Sequence, residues 1–132
     1  MSNSVSSRED FLSRYVINAA IEAHRTLGGP GLLEAVYEEA LVWELRQKEL
    51  DVERQKSVAI HYKGMTLGNP LVIDVLVEKL IIVECKATAN YHPIFEAQLL
   101  TYLRITGLKL GFVINFGEKL VKDGIHRVVN NL

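Results

Sequence analysis

The sequence lacks several features that would assign it to a specialised class of protein. It has a single cysteine, Cys85, so no internal disulfide can form, and this is typical of a reducing cytoplasm. Its longest apolar runs, such as residues 80–83, fall far short of the roughly 20 residues that a membrane-spanning helix requires. The start, MSNSVSSRED, has no apolar segment behind a basic one, so we expect no secretory signal. These absences favour a soluble, cytoplasmic protein.

An excess of charge of either sign is also missing. The chain has 15 Lys and Arg against 16 Asp and Glu, for a net charge of -1, and its pI is about 6.4. This balance does not predict a broad basic surface that binds nucleic acid through many phosphates. It is compatible with an enzyme that holds phosphates through a few local Lys and Arg side chains and a metal ion.

Nothing in the sequence divides the chain into parts, because it contains no linker, low-complexity stretch or internal repeat. Its 132 residues fall in the range of one domain, which buries roughly two thirds of the unfolded chain's surface. Apolar residues make up 48% and charged residues 23%, an ordinary globular composition that excludes a disordered chain. We predict a single domain over residues 1–132, with residues 1–6 disordered.

The spacing of apolar residues predicts helices in the first part of the chain. Apolar residues recur three or four positions apart over residues 7–27 and again over residues 32–50, with the sequence GGPG as a tight corner between them. On the second helix, the acidic Glu38 and Glu39 are expected away from the apolar face.

The rest of the chain has mainly the patterns of strands. Residues 52–62 alternate, KGMTLG predicts a turn and a short return strand, and residues 92–106 predict a helix that ends at Gly107. Three apolar runs, residues 71–77, 80–85 and 109–116, are typical of strands covered on both faces, and residues 124–130 predict a short edge strand. The resulting fold class is α/β, with a mixed central β-sheet flanked by helices.

Three charged residues, Asp74, Glu84 and Lys86, lie within these apolar strands. Residues two apart share a face of a strand, so Glu84 and Lys86 point the same way and Cys85 points into the core. Whether Asp74 joins them depends on the loop between the strands. A two-residue loop would place Asp74 and Glu84 on opposite faces, whereas a three-residue loop, residues 78–80, would place them side by side. No Asn-Gly or Asp-Gly pair specifies the shorter loop.

Energetics favours the three-residue loop together with a bound cation. Burying an unpaired carboxylate costs on the order of several kcal/mol, and a divalent ion held by Asp74 and Glu84 would offset that cost. Lys86, about 7 Å along the strand, could orient or deprotonate a metal-bound water. Ordinary ion pairs at the strand ends are the alternative, and spacing alone does not separate the two.

Two motifs resemble a known family. The sequence GLLEAVY has Gly31, Glu34 and Tyr37 at the spacing of the GxxExxY proteins, and EAQLLTYLRITGLKLGFVINF is similar to a downstream block of the same family. The resemblance covers about residues 10–130. The family is assigned to the PD-(D/E)XK nuclease superfamily, which implies an αβββαβ core around a metal site. It also implies that Asp74 is the motif's Asp and that Glu84 to Lys86 form its (D/E)XK.

The resemblance extends to a full set of site residues. It implies metal ligation by Glu34, Asp74, Glu84 and the backbone carbonyl of Cys85, with Mg²⁺ or Mn²⁺ as the cofactor. Catalysis would rest on Asp74, Glu84 and Lys86, and Gln98 and Tyr102 would line the substrate groove. The expected function is hydrolysis of phosphodiester bonds in DNA or RNA, with a homodimer or a partner protein plausible for so small a core. The alternative is a non-catalytic module that keeps the nuclease fold.

Overall fold

The structure is a computed structural model that describes residues 7–131. It contains three α-helices, seven strands and one short 3-10 helix, Val121–Gly124. The helices are α1 (Ser7–Leu27), α2 (Glu34–Gln47) and α3 (Ile94–Thr106); the strands are β1 (Val52–Val58), β2 (His61–Tyr62), β3 (Met65–Thr66), β4 (Leu71–Val77), β5 (Ile81–Lys86), β6 (Leu110–Asn115) and β7 (Ile125–Val129). The disorder expected for residues 1–6 lies outside the described residues. Within residues 7–131, no helix is long and apolar enough to cross a membrane.

Five strands form one mixed sheet in the order β1-β4-β5-β6-β7. The β5–β6 pair is parallel, and the other neighbouring pairs are antiparallel. A parallel pair needs a crossover connection, which α3 supplies. The prediction of a mixed sheet flanked by helices is confirmed. The strands β2 and β3 form a separate antiparallel hairpin, which we call the outer hairpin.

Two apolar clusters cover the two faces of the sheet. One cluster packs α1 and α2 against one face, and the other packs α3 against the opposite face. Along β5, Ile81, Val83 and Cys85 belong to the first cluster and Ile82 belongs to the second. Because side chains alternate along a strand, Glu84 and Lys86 lie on the face that α3 covers. Cys85 is fully buried, as predicted.

The loop between β4 and β5 has three residues. Val77 pairs with Ile81 and Val75 with Val83, which confirms the register that would place Asp74 beside Glu84. Glu78 and Lys79 both have positive φ, 52° and 56°, although neither is Gly or Asn. Side-chain and backbone contacts hold this conformation, because Glu78 accepts from the Asp51 N–H at 2.6 Å and pairs with an Arg8 guanidinium.

The corner before α2 determines where that helix begins. Gly31 has a φ of 113°, a conformation open to glycine and rare for other residues. The hydroxyl of the fully buried Tyr37 donates to the Gly29 carbonyl at 2.6 Å and accepts from the Leu32 N–H at 3.1 Å. The chain is still extended at Leu33, so α2 begins at Glu34, two residues later than predicted.

Candidate active site

The ladder between β1 and β4 is interrupted at one position. Arg54 pairs with Val75 and Lys56 with Ile73, but the pair between them, Gln55 and Asp74, is missing from the ladder, and Gln55 has a φ of 52°. Ile73 and Val75 would share a face in a regular strand, yet they belong to clusters on opposite faces of the sheet. The side-chain alternation of β4 therefore shifts at Asp74.

Reciprocal hydrogen bonds join Asp74 and Glu84 at this interruption. The backbone N–H of Asp74 donates to Glu84 Oε2 at 2.9 Å, and the backbone N–H of Cys85 donates to Asp74 Oδ2 at 2.9 Å. Each carboxylate thus accepts a hydrogen bond from the backbone of the neighbouring strand, just beyond the last ladder pair, Val75 and Val83. The structure brings together the two acidic residues singled out in the sequence, with Glu84 only 5% exposed and Asp74 half-buried.

Burial of this pair disfavours its negative charge. Burial, and then the neighbouring charge of Asp74, raise the pKa of Glu84 to about 8. Burial also raises the pKa of Asp74, against the stabilising N–H of Cys85. A carboxyl group whose charge is disfavoured in this way would be stabilised by a cation. Carboxylate oxygens are the ligands that a hard divalent ion such as Mg²⁺ or Mn²⁺ prefers.

Lys86 provides a positive charge at the end of β5. Its Nζ lies 4.6 Å from the centre of the Phe95 ring on α3, within the range of a cation–π contact. Its charge acts to lower the pKa values of Asp74, Glu84 and Glu34, against the larger effect of burial. Lys86 therefore lies within electrostatic reach of all three carboxylates.

The expectation that Glu38 lies away from the packed face of α2 is wrong. It is buried, with 4% exposed, and Arg54 Nε donates to its Oε2 at 2.6 Å. Gln55 Nε2 contacts both oxygens of Glu38 at 3.1 and 3.0 Å and Oδ1 of Asp74 at 3.3 Å. The expectation was wrong because Arg54 and Gln55 supply partners from β1. One signal was present, because Glu34 and Glu38 are four apart and share a helix face.

Among the described residues, one group of potential ligand atoms converges within 4.8 Å: carboxylate oxygens of Glu38 and Asp74 and the Cys85 sulfur. Burial raises the pKa of the Cys85 thiol well above its usual range, so the thiol is neutral and a poor ligand for a hard ion. The group contains Glu38 and not the predicted Glu34, and Glu84 lies outside it. Ligation by the Cys85 carbonyl stays a prediction.

Glu34 lies one helical turn before Glu38, as the first residue of α2. Its side chain is exposed at the rim of the site. Partial burial raises the pKa of its carboxylate, the charge of Lys86 lowers it, and the charges of Asp74 and Glu38 raise it further. The structure therefore places Glu34 beside the acidic group without bringing it into the 4.8 Å set.

The predicted substrate residues lie on α3. Tyr102 is half-buried, and its pKa is raised by burial and then by the negative charges of Glu84 and Asp74. Gln98, one turn earlier on α3, is exposed. The amide of Gln98 is therefore open to solvent.

Comparison with known proteins gave a match at the level of a family. A family model described as the PD-(D/E)XK nuclease superfamily matches residues 10–128, from α1 into β7. No curated protein and no solved structure matched the chain at the significance we required.

Proposed function

The chain belongs to the PD-(D/E)XK nuclease superfamily, and from this premise we propose that it is a nuclease that uses Mg²⁺ or Mn²⁺ to hydrolyse phosphodiester bonds in DNA or RNA. The order α2-β1-β4-β5-α3-β6 follows the αβββαβ core expected of the superfamily. The observation that carries the proposal is the reciprocal pairing of Asp74 and Glu84 beside Lys86. A buried acidic pair next to a lysine is suited to holding a cation and a phosphate together.

In this proposal Asp74 and Glu84 hold the ion, and Glu38 and Glu34 on α2 complete the acidic environment. The bound ion would lower the pKa of a coordinated water and stabilise negative charge on the phosphate. Gln55 orients the carboxylates of Glu38 and Asp74 through its amide hydrogen bonds. The buried Glu38 remains paired with Arg54, which makes it a weaker ligand candidate than Asp74.

The remaining residues act on the substrate. The Lys86 ammonium, held against the Phe95 ring, is positioned to orient the attacking water or to stabilise charge that develops on the phosphate. Tyr102 and Gln98 lie one turn apart on α3, where a hydroxyl and an amide can donate to the nucleic-acid backbone. Gln98 is exposed, whereas Tyr102 is half-buried. The negative charges of Glu84 and Asp74 reach Tyr102 and raise its pKa.

We also assign the chain to the GxxExxY branch of the superfamily. The three motif residues have separate physical roles that support this assignment. Gly31 provides the left-handed backbone of the corner, Tyr37 fastens that corner through two hydrogen bonds, and Glu34 then begins α2 at the rim of the site. The motif therefore positions an acidic side chain relative to the sheet.

A non-catalytic module with the nuclease fold is the second candidate. The ion pair between Glu38 and Arg54 favours it, because that pair already neutralises one acidic group without a metal. The net charge of -1 favours it as well, since a general nucleic-acid surface would be more basic.

Cleavage assays with matched variants separate the two candidates. The wild-type protein is incubated with Mn²⁺ and labelled single- and double-stranded DNA and RNA, alongside Asp74→Ala, Lys86→Ala and the control Lys119→Ala. Lys119 is exposed and lies in the loop after β6. We expect the wild type and the control to cleave at least one substrate and the two site variants to lose that activity. Absence of cleavage of all four substrates, together with absence of Mn²⁺ binding, would instead establish the module.

A further inference from the structure

We propose that the outer hairpin is a base-stacking arm that holds single-stranded nucleic acid beside the candidate active site. This proposal rests on the proposed function, because the strand that the arm holds is the substrate of that site. The outer hairpin comprises β2, the turn Lys63–Gly64 and β3.

The arm presents an apolar face that is more than half exposed in the part of the chain that the structure describes. Tyr62 and Met65 are paired across the hairpin and so share one face, and they are 52% and 58% exposed. All residues from 61 to 70 are exposed. An aromatic ring beside a thioether, both more than half exposed, leaves apolar surface in water that a ligand could cover.

Contacts within and next to the hairpin hold its conformation. Lys63 and Gly64 both have positive φ, 49° and 82°, as a tight type I′ turn requires. His61 Nδ1 and Thr66 Oγ1 lie 3.1 Å apart on the polar face, and the Leu67 N–H donates to the Ile60 carbonyl at 2.9 Å. A preorganised arm loses little conformational entropy on binding.

The base of the arm is connected to the active site through one apolar cluster. Ile60 packs against the cluster that α3 covers, and so does Phe95, whose ring contacts Lys86. In sequence the arm precedes β4, and Asp74 lies three residues into that strand, about 10 Å along it by the standard rise. Because β5 runs antiparallel to β4, β5 ends with Lys86 at the same end of the sheet as the arm.

The chemistry of the arm matches a nucleic-acid strand with exposed bases. Tyr62 offers a ring on which any base can stack, and Lys63 Nζ, 5.4 Å from the centre of that ring, adds a positive charge for a phosphate. With a net charge of -1, the chain has no excess of positive side chains. Affinity would therefore come from stacking more than from phosphate contacts. Base faces are accessible in single strands and covered by stacking in a duplex, which favours single strands as the ligand.

Binding of a labelled oligothymidylate, followed by fluorescence anisotropy in EDTA and again in Ca²⁺, tests this arm without cleavage. We expect Tyr62→Ala to weaken binding by about tenfold or more and Tyr62→Phe, which keeps the ring, to bind as the wild type does. Trp43→Ala is the matched control, because Trp43 is 58% exposed on α2, away from the arm, and its removal should leave binding unchanged. The same sequence as a duplex should bind more weakly.

The salt dependence and a catalytic variant complete the test. Because few phosphates are contacted, the logarithm of the affinity should fall with that of salt with a slope no steeper than about -2. Equal binding by the wild type and Tyr62→Ala, or stronger binding of the duplex, would overturn the arm even if the protein cleaves. Tyr62-dependent binding without cleavage by the wild type would retain the arm and overturn the proposed function. Lys86→Ala should fail to cleave, and adding Tyr62→Ala to it should still weaken binding by about tenfold.

Discussion

Replacing Glu84 by Gln should stabilise the metal-free protein in alkaline solution. The carboxyl group is only 5% exposed, and its pKa is raised from 4.5 to about 8, mainly by burial. The folded protein therefore binds this proton more tightly than the unfolded chain does. Its contribution to stability is fully present below about pH 4.5 and is lost as the pH rises through about 8.

The size of this effect follows from the pKa difference. A change from 4.5 to about 8 corresponds to roughly 5 kcal/mol in the free energy of unfolding, as an upper bound. The amide of Gln carries no charge at any pH in this range, and its oxygen can still accept from the Asp74 N–H. We expect the wild type and Glu84→Gln to be similar near about pH 5 and the variant to be more stable by several kcal/mol near about pH 9.

Urea unfolding in EDTA, followed by circular dichroism across this pH range, measures the difference. Glu39→Gln is the control, since Glu39 is exposed on the same helix as Glu38, and its stability should follow the wild type. Mg²⁺ added in place of EDTA at the alkaline end should restore stability to the wild type and much less to Glu84→Gln, because a ligand that binds the folded state stabilises it. Parallel stability curves for the wild type and Glu84→Gln would show that burial does not raise the pKa of Glu84.

Further substitutions test the surrounding contacts. Phe95→Leu should slow single-turnover cleavage by about twofold to thirtyfold with little effect on substrate binding, because Lys86 loses its ring contact. An unchanged rate would contradict the role of Phe95 in positioning Lys86. Arg54→Met should cost about 2–3 kcal/mol in urea unfolding, because the buried Glu38 loses the positive charge that pairs with it. The double variant with Glu38→Met should recover most of that loss. Tyr37→Phe should cost about 1–2 kcal/mol through the two lost hydrogen bonds, and a neutral result would refute the role of Tyr37 in fastening the corner.

Local patterns predicted most of the fold. Helical spacing located α1 and α3, and the Gly107 cap, with a φ of 74°, ends α3 where expected. The buried runs identified β4, β5 and β6, because strands covered on both faces are apolar throughout. Each of these signals depends on residues that are neighbours in sequence, which is why they could be recognised without the structure.

The composition of the site was only partly predictable. Asp74 and Glu84 could be paired because the register of one short loop decides their relation. Glu38 and its partners Arg54 and Gln55 were missed, because their contacts cross from α2 to β1 and depend on the interrupted ladder. The left-handed Gln55 that accompanies this interruption has no sequence signal, since Gln is not a residue that favours positive φ.

Calorimetric titration of the wild type with Mn²⁺, compared with Asp74→Asn and Glu84→Gln, measures whether the acidic pair holds a metal ion. We expect binding of about one ion per chain in the active site, with proton release because the buried Glu84 must ionise to bind it. Both variants should lose that binding while remaining folded. A wild-type protein that binds no Mn²⁺, or variants that bind it as tightly as the wild type, would show that Asp74 and Glu84 do not hold a metal ion.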